Sequence, residues 1–537
     1  MIRIFRLQTG SAKAAVGLVL LVSALLFSCS SQKTDSKPNI LFIFSDDHAY
    51  QAISAYGGRL AKLAPTPQID RIASEGMLFT RCYVTNSICA PSRATVLTGK
   101  HSHLNGVKTN RDVFDGGQQT FPKLLHQNGY QTAIFGKWHL KSDPVGFDIW
   151  KVLPGQGHYY SPEIRSESGT TVREHAYVTN VITDMAISWL EEGWDRTKPF
   201  LLMLQHKAPH REWEPATEFL SLFHDARFPE PANLFDDYQG RGTAARTQDM
   251  TIAKTMRLGA DLKIWLDKSG EAYQRTYGRM DAQQKAAWDA AYDPLIEDYI
   301  SAGRQGDDLI RWKYQRYMQD YLATIRSVDV STGRVLDYLD QQGLTQNTIV
   351  IYNSDQGFYL GEHGWFDKRF MYEESAKTPL IVRWPGHVPA GRINAELTSN
   401  LDIAPTLLDA AGVEIPDDMQ GISLLPLFAD DSPDGWRNSL YYHYYEYPAV
   451  HMVHRHEGAV TKRYKLIHFY DLGEWELYDL QKDPTEMKSV YADPAYAEAA
   501  KEMSAELERL RHLYRVPPLS QDGMAESSAV PGKKGGK

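Results

Sequence analysis

The sequence contains few cysteines, no surplus of positive charge and no long hydrophobic run. Three cysteines, Cys29, Cys82 and Cys89, among 537 residues cannot form a disulfide framework. The formal net charge of −9 excludes the basic surplus that nucleic-acid-binding proteins carry, so we expect no nucleic-acid partner. The N-terminal apolar run, residues 15–27, is shorter than the roughly 20 residues that a membrane-spanning helix requires. The chain does have 42% hydrophobic and 11% aromatic residues, which is typical of a globular protein with a sizeable core.

The N-terminal segment has the order of an export signal. Three basic residues precede the apolar run, and Ser28 and Cys29 follow it. This order resembles a bacterial lipoprotein signal, in which residues 1–28 are removed and Cys29 is lipidated; an ordinary cleaved signal is the alternative. Both interpretations predict export. The first predicts a periplasmic or cell-envelope lipoprotein whose only membrane contact is the lipid anchor.

Four short apolar runs each end in polar residues that can carry out chemistry. The runs and the residues that follow them are residues 40–44 with Asp46 and Asp47, residues 132–135 with Lys137 and His139, residues 200–204 with His210, and residues 348–352 with Asp355 and Gln356. Apolar residues at helical spacing occur between them, for example over residues 321–339. Alternating strands and helices predict an α/β fold with a mostly parallel sheet, in which ligands bind at the carboxyl ends of the strands. We therefore expect the four clusters to face one crevice.

Changes in composition and hydrophobic pattern along the chain suggest how it divides into domains. A main domain is predicted over residues 38–430, with a mostly helical insertion around residues 220–310 that contains no clear strand. Residues 431–517 predict a smaller C-terminal subdomain with antiparallel strands and a closing helix. The Gly-, Ser- and Lys-rich residues 518–537 predict a disordered tail.

The most informative segment is residues 89–100, with the sequence CAPSRATVLTGK. Pro91 suits the first turn of a helix and Gly99 suits its end, so Cys89 is expected at a helix amino terminus, where free N–H groups favour anions. The alternative is a small apolar cysteine in the core.

This segment resembles the signature of the type I sulfatases, in which Cys-x-Pro-Ser-Arg is followed four residues later by Thr-Gly-Lys. The resemblance extends over nearly the whole mature chain. It implies the fold of the alkaline phosphatase superfamily, with a large α/β domain and a smaller C-terminal one. It also implies that a formylglycine-generating maturation enzyme converts Cys89 to 3-oxoalanine, that is, formylglycine.

The acidic residues predict a metal site. Asp46, Asp47 and Asp355 with the amide carbonyl of Gln356 form an all-oxygen set, which suits a hard cation such as Ca²⁺ rather than zinc. A solvated loop or a helix cap is the alternative for an isolated Asp pair. The resemblance implies that these four residues, together with modified Cys89, bind Ca²⁺.

The resemblance also assigns the remaining catalytic roles. It places Lys137 and Lys368 on the sulfate, His139 on the formylglycine hydrate, His210 on the leaving oxygen, and Arg93 beside the modified residue. Lys137 and His139 are two residues apart, so in extended geometry their side chains would share a face.

Two segments indicate the substrate. Residues 206–213 and 359–369 are similar to the N-acetylglucosamine-6-sulfatase branch, which implies a 6-O-sulfated N-acetylglucosamine in glycosaminoglycan or mucin glycans. Asp367 and Arg369 suit the binding of vicinal sugar hydroxyls, and His454 is expected to reach the same pocket. Structural salt bridges are the alternative for these three residues.

Two other functions remain open. A phosphonate monoester or phosphodiester hydrolase shares the superfamily and the Cys-x-Pro-Ser-Arg signature. A surface lipoprotein that binds a sulfated glycan without hydrolysing it would suit an unconverted Cys89.

Overall fold

A computed structural model describes Met1 and residues 37–519 of the chain. The predicted signal segment, Cys29 and nearly all of the predicted tail lie outside the described residues. Within the described part, no helix is both long enough and apolar enough to cross a membrane.

A ten-stranded mixed sheet forms the centre of the main domain. The strands in residues 37–519 are β1 (Asn39–Ser45), β2 (Met77–Phe79), β3 (Cys82–Tyr83), β4 (Gln131–Lys137), β5 (Ile149–Leu153), β6 (Glu163–Ser166), β7 (Gly169–Val172), β8 (Phe200–Gln205), β9 (Thr348–Ser354), β10 (Tyr359–Leu360), β11 (Phe366–Asp367), β12 (Leu380–Arg383), β13 (Arg392–Asn394), β14 (Thr398–Ser399), β15 (Ser439–Tyr444), β16 (His456–Thr461), β17 (Tyr464–Phe469) and β18 (Glu474–Asp479). The large sheet has the order β13-β2-β12-β9-β1-β8-β4-β5-β6-β7.

The middle of this sheet, β9-β1-β8-β4-β5, is parallel. It contains all four runs that the sequence predicts as strands, so their carboxyl ends meet at one edge. The register pairs Ser45 with Ser354, which places the residues that follow, Asp46 and Asp355, next to each other. Gly136 allows β4 to approach β8 closely, because a Cβ atom at this position would lie 1.9 Å from the carbonyl oxygen of Gln205.

Helices cover both faces of the sheet. The α-helices among the described residues are Pro67–Ser74, Cys89–Thr98, Ser102–Asn105, Phe121–Gln127, Val178–Ser188, Thr243–Thr247, Glu271–Tyr277, Ala282–Ala302, Gly306–Gln341, Glu373–Ala376, Ile403–Ala410, Leu425–Ala429 and Ala497–Leu513. Alternate residues of β1 belong to opposite cores: Leu41 and Ile43 pack with Val178–Ser188 and Gly306–Gln341. Ile40 and Phe42 pack with Cys89–Thr98 and Ile403–Ala410. A continuous apolar strand is what burial on two faces requires.

The C-terminal part contains the antiparallel sheet β15-β16-β17-β18. The helix Ala497–Leu513 packs on one face of it. The other face contributes Leu440 and Ile467 to a core shared with Phe370 and Tyr372 of the main domain. The predicted fold class, a mostly parallel α/β sheet with a smaller antiparallel sheet and a helix, is confirmed.

Between β8 and β9 the described chain has no strand of its own and forms the helices Thr243–Thr247, Glu271–Tyr277, Ala282–Ala302 and Gly306–Gln341. The helix Ala282–Ala302 begins with a capping box between Asp281 and Gln284. The last helix carries the apolar pattern predicted over residues 321–339. The exact domain boundaries stay a prediction.

Candidate active site

Three carboxylates meet at the carboxyl edge of the parallel strands. Asp46 and Asp47 follow β1, Asp355 follows β9, and all three are fully buried. Their oxygens include a set that lies within 4.8 Å of one another. The backbone N–H of Asp47 donates to Asp355 Oδ1 at 3.0 Å, which holds the two loops together. Buried like charges at this separation repel each other strongly, so the cluster needs positive charge.

The donor set fits a hard cation. Asp46 Oδ1 and Gln356 Oε1 are buried and have no hydrogen-bond partner among the described residues. Burial raises the pKa of Asp47 to about 7; Lys368 opposes this shift and Asp355 adds to it. The residues that would hold the cation are Asp46, Asp47, Asp355 and Gln356; the Gln356 amide directs its NH2 at Asp47 and Asp355 and would turn over to present Oε1 to the cation. Their ligand atoms are all oxygens, which Ca²⁺ prefers and zinc does not.

Two lysines contact the same carboxylates. Lys368 Nζ lies 2.6 and 2.7 Å from the two carboxylate oxygens of Asp47. Lys137, the last residue of β4, forms an ion pair with Asp46 and is fully buried. Both ammonium groups are therefore directed at the site, where they can bind the oxygens of an anionic substrate.

Arg93 connects the helix Cys89–Thr98, here called the nucleophile helix, to the sheet. Its guanidinium donates to Asp355 Oδ2 at 3.0 and 3.2 Å. It also donates to the side chain of Gln205 and to the carbonyl of Lys137, both at 2.8 Å. The guanidinium carbon lies 5.0 Å from the centre of the Phe44 ring. Because the Arg93 guanidinium makes all these contacts at once, it fixes the relative positions of three strand ends.

Cys89 begins the helix Cys89–Thr98, as the sequence predicts. Pro91 lies in its first turn, and Gly99 ends it in the left-handed conformation with φ of 63°. The Cys89 sulfur, a carboxylate oxygen of Asp46 and a ring nitrogen of His210 lie within 4.8 Å of one another. Burial raises the pKa of the Cys89 thiol. An unmodified thiol here is therefore a poor nucleophile, because the thiolate is the reactive form.

His210 and His139 supply the imidazoles of the site. His210 Nδ1 is 2.5 Å from the carbonyl oxygen of Arg211, and since a carbonyl only accepts, Nδ1 carries the hydrogen. His210 Nε2 is therefore free for chemistry, at 3.8 Å from Asp47 Oδ2. His139 Nδ1 is buried without a partner among the described residues. Burial, reinforced by Lys137, holds the pKa of both histidines well below the usual range.

The expectation that Lys137 and His139 share an extended face is wrong. Strand β4 ends at Lys137, and His139 has a φ of 57° in the left-handed region. The chain turns sharply there, so the two side chains reach the site from a turn rather than from one face of a strand. They are nevertheless close enough for Lys137 to affect the pKa of His139.

Asp367 and Arg369 lie on either side of Lys368 and are almost fully buried. Arg369 Nε is 3.2 Å from Asp367 Oδ1. Its Nη1 is 3.4 Å from Glu446 Oε2. Both residues have positive φ, of 81° and 98°, so the backbone alternates in direction around the lysine. Asp367 and Arg369 thus form a salt bridge next to Lys368, and their contact with a sugar stays a prediction.

The structure places His451, and not His454, beside this pair. His451 Nε2 is 3.3 Å from Asp367 Oδ2, and its Nδ1 bonds to the carbonyl of Asp249. His454 lies 3.9 Å from Asp471 and stacks on Tyr447. The reason is the turn Val450–Met452, where His451 has a φ of 68°. The assignment of His454 to the pocket is therefore not supported by its contacts.

Two tryptophans near the site belong to the core. Trp213 and Trp365 are fully buried. Trp213 packs on Tyr317, and Trp365 stacks on Phe370 and donates to the hydroxyl of Tyr238. Neither ring can stack on a sugar, so these residues shape the loops that carry His210 and Lys368.

Sequence reasoning also missed Lys207. This residue follows β8, is 4% exposed and lies over the ring of Tyr159, 4.5 Å from its centre. Its position two residues after the end of β8 was the available signal, since His210 follows the same strand end and Lys137 is the last residue of β4. The backbone N–H of His210 donates to the carbonyl of Lys207 at 2.9 Å, so one tight turn carries both side chains.

Comparison with known proteins agrees with this geometry. Residues 38–413 match the family described as Sulfatase, and residues 361–513 match the C-terminal family of N-sulphoglucosamine sulphohydrolase. An N-acetylglucosamine-6-O-sulfatase from Bacteroides thetaiotaomicron is 50% identical over 513 residues, covering 93% of this chain and 91% of that protein.

Solved structures extend the comparison. One is described as a complex with its substrate D-glucosamine-2-N,6-O-disulfate. It has a TM-score of 0.88 at 50% identity and covers 90% of this chain and 99% of its own. The phosphonate monoester hydrolase of Agrobacterium radiobacter has a TM-score of 0.65 at 22% identity, covering 89% and 96%, a likeness that shows the fold alone. From the sheet, the placement of Cys89 and these matches, we conclude that the chain belongs to the sulfatase family.

Proposed function

We propose that this protein hydrolyses sulfate esters of glycans and that its substrate is the 6-O-sulfate of N-acetylglucosamine in glycosaminoglycan or mucin glycans. The observation that carries the proposal is the group of Cys89, Asp46 and His210 within 4.8 Å at a helix amino terminus. Lys137 and Lys368 add positive charge at the same place. The relative that is 50% identical and bears the name N-acetylglucosamine-6-O-sulfatase supports the choice of sugar.

We infer that Ca²⁺ is the cation of the carboxylate cluster. Asp46, Asp47, Asp355 and Gln356 would hold it, together with the modified side chain at position 89. A cation bound there supplies positive charge opposite the oxygens of the sulfate group. The orphaned oxygens of Asp46 and Gln356 support this inference, because a buried acceptor without a partner is costly.

We further infer that Cys89 is converted to formylglycine by a maturation enzyme. The hydrate of formylglycine supplies two hydroxyls on one carbon, one to attack sulfur and one to permit release of sulfate. The raised pKa of the buried thiol supports this inference, because an unmodified cysteine would be poorly ionised.

The other residues act on charge and protons. Lys137 and Lys368 bind the sulfate oxygens, which carry the negative charge that grows in the transition state. His210 would give a proton from Nε2 to the leaving sugar oxygen; because its Nδ1–H is held by the carbonyl of Arg211, this step requires the imidazolium form, which the negative charge of a bound sulfate favours. His139 accepts a proton when sulfate is released. Arg93 keeps Asp355 and the nucleophile helix in place.

Two measurements test the function. Mass spectrometry of the peptide that contains Cys89 should show formylglycine in active protein, and full activity with only unmodified cysteine would exclude the chemistry. Kinetics on 6-O-sulfated N-acetylglucosamine, sulfated N-acetylgalactosamine and 2-O-sulfated uronate should show a preference for the first. A clear preference for the uronate would exclude the substrate, and faster hydrolysis of a phosphonate monoester would favour the rival enzyme.

We also propose that the protein is exported and anchored through lipid on Cys29. The order of charge, apolar run and cysteine in the sequence supports this. In cells fed a clickable fatty acid, the wild type should be labelled and Cys29→Ser should not. Equal labelling of the two proteins would exclude the anchor.

A further inference from the structure

A cleft of about 370 Å³ opens beside His210 and extends away from the carboxylate cluster. Three parts of the chain form it: residues 156–160 after β5, residues 207–214 after β8, and residues 275–279 of the insertion. A cleft of this volume can hold a small saccharide group. It therefore continues the active site in one direction.

The cleft contains a buried cation that forms no ion pair with the described residues. Lys207 is 4% exposed, yet its ammonium group makes no hydrogen bond or ion pair with any described residue. The ammonium lies over the face of the Tyr159 ring, and the charges that act on it most strongly are the carboxylates of Glu214 and Glu212. Burial lowers the pKa of Lys207 to about 8, so the side chain is still mostly charged at neutral pH. Burying a charge without a partner is costly unless a ligand provides the partner.

The second free cation is Arg275, on the helix Glu271–Tyr277. It is exposed, and its guanidinium, like the Lys207 ammonium, forms no hydrogen bond or ion pair with the described residues. The helix is fixed to the rest of the cleft by Thr276, whose hydroxyl donates to Glu214 at 2.6 Å. The insertion thus contributes a second positive charge to the lining of the cleft.

The other charged side chains of the cleft have partners. Arg211 binds Asp261, Glu212 binds Arg257, and Arg279 binds Glu163. Glu214 accepts from Thr276 and has no cationic partner among the described residues, but burial raises its pKa, which reduces its negative charge. The positive charges of Lys207 and Arg275 therefore remain available to a ligand. The chemistry favours an anionic group between Lys207 and Arg275.

We propose that the cleft between Lys207 and Arg275 is a second anion subsite, which binds a sulfate or carboxylate that the saccharide carries in addition to the ester that is cleaved. The proposal rests on the proposed function, since it requires a sulfated saccharide in the active site. Lys207 and His210 lie on one turn, so the second anion is close to the leaving sugar oxygen. Its source is either an N-sulfate on the same sugar or the carboxylate of an adjacent uronate.

Kinetics with three substrates test the proposal. They are N-acetylglucosamine 6-O-sulfate, glucosamine 2-N,6-O-disulfate, and a disaccharide in which N-acetylglucosamine 6-O-sulfate is linked to a uronate. In Lys207→Met, kcat/KM for a substrate with the second anion should fall about 10- to 100-fold relative to the singly charged substrate. Loss for the disulfate identifies the N-sulfate, and loss for the disaccharide identifies the carboxylate.

Lys198→Met is the matched control. Lys198 is an exposed lysine before the start of β8, at the opposite end of the strand from Lys207. Lys198→Met should leave unchanged the ratio of kcat/KM between the doubly and the singly charged substrates. If Lys207→Met does not fold, as shown by a loss of the cooperative thermal transition, the exposed Arg275→Met provides the same comparison with an expected fall of several-fold. If the ratio is unchanged in both variants, the subsite does not exist.

A binding measurement separates this proposal from the proposed function. Calorimetric titration of Cys89→Ala protein with the same saccharides requires no turnover. A higher affinity for the doubly charged saccharide that disappears in Cys89→Ala/Lys207→Met supports the subsite even if the wild type hydrolyses none of the three. Turnover by the wild type with equal affinity for all saccharides refutes the subsite and leaves the sulfatase function standing.

Discussion

Replacing Asp367 by asparagine should separate sugar recognition from sulfate chemistry. The substitution keeps the size of the side chain and removes its charge. The Asp367 carboxylate lies 3.2 Å from Arg369 Nε and 3.3 Å from His451 Nε2, and it accepts the backbone N–H of Lys368 at 2.8 Å. Asparagine can keep the backbone hydrogen bond, so the position of Lys368 is preserved.

The expected magnitude follows from the charge. A hydrogen bond between a sugar hydroxyl and a charged group contributes about 1.5–3 kcal/mol, which corresponds to about a 10- to 150-fold loss of kcat/KM. We expect this loss for 6-O-sulfated N-acetylglucosamine. For an aryl sulfate, which has no sugar hydroxyls, we expect a change within about threefold.

The assay compares steady-state kinetics of both substrates for the wild type, Asp367→Asn and Asp471→Asn. Asp471 pairs with Arg455 and lies 3.9 Å from His454, so this control tests a carboxylate of the C-terminal part outside the pocket. Equal losses on both substrates in Asp367→Asn would show that the residue supports the sulfate end or the fold. A loss on the saccharide alone in Asp471→Asn would restore His454 to the substrate pocket.

Three further predictions concern the metal, a buried ion network and pH. Chelation of the metal should abolish activity and lower the melting temperature together, and added Ca²⁺ should restore both. The effect on the melting temperature is expected because a ligand at 100 times its Kd stabilises the fold by about 2.7 kcal/mol. Full recovery with zinc alone would contradict the assignment of an all-oxygen ligand set. Lys465 lies 2.7 Å from Glu373 and 2.8 Å from Glu486, all buried, and Lys465→Met should cost about 3–5 kcal/mol. With an unfolding entropy of about 2.1 cal/mol/K per residue over about 480 residues, calorimetry should show a fall in melting temperature of about 3–5 °C, and no fall would refute the importance of the network. Burial raises the pKa of Glu486 to about 7, with Lys465 opposing the shift. The folded state thus holds this proton more tightly than the unfolded state, and the stabilisation is lost as pH rises from about 4 to 7. The melting temperature of Glu486→Gln, measured relative to that of the wild type, should therefore increase between pH 5 and pH 7. A difference in melting temperature that stays constant over this range would contradict the raised pKa.

The local hydrophobic pattern of the sequence was sufficient to predict the strands and the site residues that follow them. Buried parallel strands are continuous apolar runs, and their register brings Asp46 and Asp355 together without further information. The helix of Cys89 was equally predictable, because Pro91 and Gly99 mark its two ends.

The sequence could not predict which residues the turns direct into the site. His139, Asp367 and His451 all have positive φ, a conformation that tertiary contacts impose on residues that otherwise avoid it. Three histidines lie within residues 451–456, and only the left-handed turn decides that His451 reaches Asp367. The buried position of Lys207 likewise depends on Tyr159, which lies far away in sequence.

The network around Lys465 has a consequence for how substrate enters. Lys465 is on β17 of the C-terminal sheet, and Glu373 belongs to the main domain. Rotating the C-terminal sheet away would separate Glu373 from Lys465, which keeps Glu486 as its partner. It would also expose to water the apolar core that the two parts share, at a cost of several kcal/mol. Domain opening is therefore disfavoured during the catalytic cycle. A saccharide therefore has to enter without domain opening, so the dimensions of the entrance limit which saccharides reach the catalytic residues.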